Sequence, residues 1–186
     1  MDINTLLINE EYVKKYSTVS DNLDSKLITP AIMGAQLEWL QPILGTNLFD
    51  RLCGLVKDGT ITAPENANYK TLLDDYVATG LMYAAIADIT IENFQRIHNA
   101  GSVQYVDTNY QQIALNELKF TKAHWDEKAN FYANRLAQYL HANHELFPEY
   151  CACRDGADMH SDTASATYNC GIHLGRPYYK KKRKDR

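Results

Sequence analysis

Apolar residues recur at helical spacing along most of this chain and at strand spacing almost nowhere. Between Thr29 and Leu55, Ile32, Met33, Leu37 and Leu40 make one stripe, and Leu48, Phe49, Leu52 and Leu55 make a second. Two amphipathic helices are therefore predicted, joined by Pro42-Ile43-Leu44-Gly45-Thr46. Thr29 is expected to cap the first helix and Pro30 to stand at its first position, where a missing N–H is harmless. Pro42 should end that helix, because the residue before a proline avoids the α region. Gly45 should take a backbone that a branched residue resists, with Leu44 and Leu48 buried around it. Thr46 should cap the second helix. Pro42, Leu44, Gly45 and Thr46 thus form a structural corner that sets the angle between two helices.

The same periodicity extends over the rest of the first 148 residues. Asn9 can cap a short helix over 10–16, with Tyr12, Val13 and Tyr16 on its apolar side. The polar stretch 17–25 and the segment 57–68, with Asp58-Gly59 and Pro64, read as loops. A long helix is predicted over 68–98, its stripe including Leu72, Leu73, Tyr76, Val77, Leu81 and Ile91. Gly80 interrupts its good helix formers at a cost of about 1 kcal/mol, which close packing of a neighbour would explain. Asp88 falls in the stripe, and a carboxylate's preference for water places it at a solvent or interface edge. Asn99-Ala100-Gly101 breaks the helix, and 102–106 alternates like a short strand or extended loop. A last helix is predicted over 110–145, with Leu118, Trp125, Phe131, Tyr132, Leu136, Tyr139 and Leu140 in a wide stripe. A wide stripe points to contacts on more than one side, as in an oligomer. The predicted fold class is all-α: a bundle of about four to five helices over 1–148, closed by Pro148.

From Glu149 the composition changes to small and polar residues, and 149–186 is expected to be an extended arm that can be removed without unfolding the body. Net charge is −4 overall, yet the segment from Arg176 to Arg186 carries seven Lys or Arg and one Asp, so an acidic body ends in a basic terminus. Ile172 and Leu174 are two residues apart and share one side of an extended segment. Arg176, Tyr178 and Tyr179 follow, then the unbroken run Lys180, Lys181, Lys182, Arg183 and Lys184. These ten residues are the expected partner-binding set. The cations suit phosphates, with the tyrosines stacking on bases, or an acidic protein surface. A helical nucleic-acid-binding protein acting through its basic C-terminal tail is accordingly the alternative function.

Catalytic chemistry finds little support. Cys151, Cys153, Cys170 and His173 supply a zinc-type ligand set, but Cys-x-Cys is a poor match to the usual spacing, and free thiols are expected. His141, His144 and Glu145 lack the order of a zinc protease and the paired Glu-x-x-His of a di-iron bundle. The sequence has no Gly-rich phosphate loop and no Gly-x-Ser-x-Gly. No catalytic residue, metal or cofactor is predicted, and the expectation is a protein that is not an enzyme. No apolar run approaches the roughly 18 residues of a membrane span, and Met1-Asp2-Ile3-Asn4 does not open a secretory signal. A reduced protein made in a cytoplasm is expected.

A resemblance adds a function. Ile28-Thr29-Pro30-Ala31-Ile32, then Gln36, then Leu40-Gln41-Pro42-Ile43-Leu44-Gly45-Thr46-Asn47-Leu48-Phe49 resembles the head-to-tail connector (neck or ring) proteins of crAss-like and related tailed bacteriophages. It runs over about residues 7–98. The resemblance implies a structural virion protein, a homo-oligomeric ring of about twelve copies that joins the portal to the tail. Implied partners are the phage portal protein, other neck or tail ring proteins and the packaged DNA, with no membrane. The implied location is the virion neck, after synthesis in the host bacterial cytoplasm. The basic arm would then reach the portal or a neighbouring ring.

Overall fold

The computed structural model describes residues 5–98, 101–104, 115–150, 159 and 161. Helices dominate them, as the periodicity predicts. Helix α1 (Glu10–Tyr16) is capped by Asn9, whose side chain accepts the Tyr12 N–H. Helix α2 (Ser25–Ala35) starts earlier than predicted, because Asp24 rather than Thr29 supplies the cap and accepts the Lys26 N–H at 3.0 Å. Pro30 therefore lies inside α2 instead of at its first position. It is tolerated on the exposed side, where the Lys26 carbonyl that loses its donor meets water.

Pro42 does not end the helix either. A π turn (Gln36–Leu40) follows α2 directly and leads into α3 (Gln41–Leu44). The Gln41 N–H bonds five residues back to Gln36, and Pro42 comes next. Pro42 falls at the second position of α3, where the register has just shifted, and the chain stays helical through it. Gly45 is what stops it, with φ 75° and ψ 156°. That region belongs almost to glycine alone. Thr46 is the first residue of α4 (Thr46–Lys57) and not its cap, its hydroxyl being used elsewhere. Leu44 and Leu48 are both fully buried beside the bend. Gly45→Val should therefore cost about 1–3 kcal/mol in backbone strain. An unchanged unfolding midpoint in urea would show that the corner does not need glycine.

After short 3-10 turns (Thr60–Thr62 and Pro64–Asn66), one continuous helix runs through α5 (Ala67–Thr71), a second π turn (Leu72–Val77) and α6 (Ala78–Phe94). It ends before His98, because β1 (Gln95–His98) turns back to pair antiparallel with β2 (Gly101–Gln104). Helix α7 (Leu115–Ala142) ends before the predicted 145, and Glu145 lies in a separate 3-10 turn (His144–Leu146).

The core gathers around α6, which packs chiefly on α7 and α2. Leu40, Leu44, Leu48, Leu52, Leu72, Leu81 and Leu136 are completely buried there. Gly80 has the close neighbour its cost suggested. A Cβ at that position would sit 2.4 Å from the tip of Trp39 and 2.9 Å from Cβ of Tyr132. Beside this contact runs an aromatic seam with a seven-residue repeat. Tyr76 and Tyr83 face Tyr139, Tyr132 and Trp125 in antiparallel order, and Tyr69 extends the repeat toward Phe147. Tyr83 stacks on Trp125 and Tyr132, and Tyr76 stacks on Tyr139 with ring centres 3.9 Å apart. Tyr69 meets the edge of Phe147 at 5.5 Å. Cations cover the seam: Lys128 over Trp125 and Tyr83, Arg135 over Tyr76, and Arg51 over Tyr69.

Candidate functional site

The polar residues of the corner are buried, and each has a defined task. Gln36, on the π turn, clamps the N-terminal segment: its amide oxygen accepts the Leu7 N–H at 2.7 Å, and its nitrogen donates to the Thr5 carbonyl at 3.0 Å. Gln41 donates to the Thr46 hydroxyl oxygen at 3.1 Å. The same oxygen accepts the Met159 N–H at 2.9 Å, and the Thr46 N–H donates back to the Met159 carbonyl at 2.9 Å. Two hydrogen bonds between residues 113 positions apart in sequence, one backbone to backbone and one from the Met159 N–H to the Thr46 hydroxyl, thus clasp the chain beyond α7 onto the corner. Glutamines at 1% and 3% exposure would be costly without partners, and here Gln36 and Gln41 have them.

Further contacts tie the same end together. The Tyr69 hydroxyl donates to Glu149 at 2.8 Å, and Arg51 lies 3.8 Å from the other carboxylate oxygen. Burial, then the Glu149 carboxylate, push the Tyr69 phenol above its ordinary value. Phe147 is completely buried and Tyr150 nearly so. The described residues past Pro148 therefore lie on the helical body.

A second feature is a cleft of about 390 Å³ between the π turn, α6 and α7, lined by Glu38, Trp39, Asp88, Lys122 and Asp126 among others. Asp88 sits half-buried at this edge, as expected of a carboxylate in an apolar stripe. Burial pushes its carboxyl up; Lys122 opposes that, and Glu38 and Asp126 reinforce it. Lys122 is bonded to Asp126 at 2.9 and 3.0 Å. The sign for stability follows. Below the unfolded carboxylate value both states hold the proton and nothing is lost. As pH rises past it, the folded state resists ionisation, so stability falls until the folded pKa is passed. Asp88→Asn should raise the melting temperature at neutral pH and leave it unchanged below about pH 3. A lower melting temperature for the variant at pH 7 would mean that Asp88 makes a net favourable contact.

Of the other sequence candidates, Ile172, Leu174, Arg176, Tyr178, Tyr179, Lys180, Lys181, Lys182, Arg183 and Lys184 lie outside the described residues, as do Cys151, Cys153, Cys170 and His173. His141, His144 and Glu145 are exposed, with the His144 Nδ1 3.1 Å from the His141 carbonyl. Among the described residues no group of three or more His, Cys, Asp or Glu is placed to hold a metal, and no described helix is long and apolar enough to cross a membrane. Gln36 and Gln41 stood in the quoted pattern without an assigned role. A signal for them existed, since both are polar residues inside helical stripes. Met159 offered none, because its contact is made by backbone atoms.

The described residues define a predominantly helical protein closed by a clasp at a glycine corner. The chain belongs to the family of unknown function DUF6712, which matches residues 40–159. The match begins at the π turn and ends at the residue bonded to Thr46, so it coincides with the clasped unit. No curated protein and no solved structure matches the chain.

Proposed function

We propose that this chain is a structural virion protein of a tailed bacteriophage, a helical connector that forms a ring in the neck and joins the portal to the tail. The observation that carries the reading is the clasp. The residues that resemble neck proteins, from Ile28 to Phe49, are the buried corner of the body, and Met159 is bonded to that corner. Met159 is therefore anchored on the buried corner, ahead of the basic segment. Fifteen positions separate Ser161 from Arg176, a span of at most about 50 Å if extended. A basic segment on such a tether can engage a second surface at high effective concentration while the body holds the first.

The test is attachment to the portal of the same phage, followed by electron microscopy. The full chain should add a ring of density to the portal, and a chain cut after Ser161 should lose that attachment. Absence of ring density with the full chain rejects the reading. DNA affinity that falls steeply with salt and vanishes on removing residues 176–186, without any ring, would favour the nucleic-acid-binding alternative.

A further inference from the structure

We propose that the outer face of α7 is a two-fold docking surface for a second copy of this chain. The proposal stands on that face alone and does not need the neck reading. Helix α7 already buries one side, through Leu118, Ala129, Leu136 and Leu140. Its opposite side carries Phe120 at 77% exposure and Phe131 at 65%. Large rings this exposed are unusual on a helix that spends its other face on the core.

The two phenylalanines belong to a regular stripe. Glu117, Phe120, His124, Glu127, Phe131, Asn134 and Gln138 are all exposed and follow one another at alternating steps of three and four. That is the spacing that keeps one seam of a helix facing a partner helix. The stripe is also self-complementary. In an antiparallel pair, setting Phe120 opposite Phe131 of the second copy necessarily sets His124 opposite Glu127, and Glu117 opposite Asn134. Each of these contacts then occurs twice about the two-fold axis. Two aromatic pairs, about 16 Å apart along each helix, flank a centre in which imidazoles donate to carboxylates.

Other registers are worse. Placing Phe120 opposite itself leaves Phe131 without an aromatic partner, and placing Phe131 opposite itself strands Phe120. The polar centre lowers affinity but fixes register, the role polar residues play in helix pairs. Such a contact closes at two copies. A ring needs a head-to-tail contact on different surfaces, so the two assemblies do not compete for one definition of the interface.

Sedimentation of the full chain over a range of concentrations tests this. A monomer–dimer equilibrium is expected. Phe120→Asp and Phe131→Asp should each weaken it at least about tenfold while leaving the helical signal and melting unchanged, since both rings are exposed. His124→Glu and Glu127→Lys should each weaken pairing, and the double variant should restore it by exchanging the charges across the axis. That rescue is specific to the proposed register. A chain that stays monomeric throughout, self-association indifferent to both aspartates, or a double variant no better than its parents each overturns the proposal. Portal attachment in the Phe→Asp variants reads the neck function separately.

Discussion

Phe147→Ala is expected to cost about 3–5 kcal/mol, as for a fully buried aromatic side chain. Phe147 has no exposed surface, and it packs edge-on against Tyr69 and tilted against Tyr139. It lies just past α7 and holds that helix's end against the start of the α5–α6 helix. Its removal would leave a cavity against Tyr69 and Tyr139 and loosen the Tyr69–Glu149 hydrogen bond beside it. Urea unfolding measures the effect, and a loss below about 1 kcal/mol would show that the site collapses without harm. The same packing predicts that the position of a C-terminal cut matters. A chain ending at Pro148 lacks Tyr150, the Glu149 acceptor and the Met159 clasp, and should melt below a chain ending at Ser161. Equal melting of the two would remove any stabilising role from the clasp.

Gly80→Ala should destabilise the protein by about 1–2 kcal/mol, although alanine is the better helix former by about 1 kcal/mol. The new methyl would overlap the Trp39 ring tip and Cβ of Tyr132. The latter sits on the α7 backbone, so relief requires moving a helix and not just a side chain. Gly54→Ala supplies the opposite sign. It is interior to α4 with nothing within 4 Å of its Cβ position, so alanine should stabilise by up to about 1 kcal/mol. Parallel thermal melts of the two variants decide the matter. Stabilisation by both would mean that α6 is not held close to Trp39.

Much of this fold was legible in the apolar spacing. The helical class, the Asn9 cap, the special backbone of Gly45 and the close approach at Gly80 all follow from short-range rules. The boundaries misplaced around the corner share a cause. Pro30 and Pro42 read as helix punctuation, whereas an exposed position at one and a π turn before the other let the helix continue. A π turn has no compositional mark in Gln36–Leu40. For the candidate site, the corner was visible, but its function as an anchor was not. Thr46 looks like any cap until Met159 arrives, and two backbone groups leave no trace in side-chain pattern.

The seven-residue repeat of the aromatic seam has a mechanical consequence. Sliding α7 along α6 by one repeat, about 10 Å, in the direction that brings Tyr132 to Tyr76 would also bring Tyr139 to Tyr69, ring against ring again. Stacking alone is therefore a ruler with evenly spaced marks and no zero. The zero comes from features that do not repeat: the missing side chain at Gly80, filled by Trp39, and the plug of Phe147 at the end of the seam. Stacking supplies contact along the seam, while one non-repeating contact within it and one at its end fix the register.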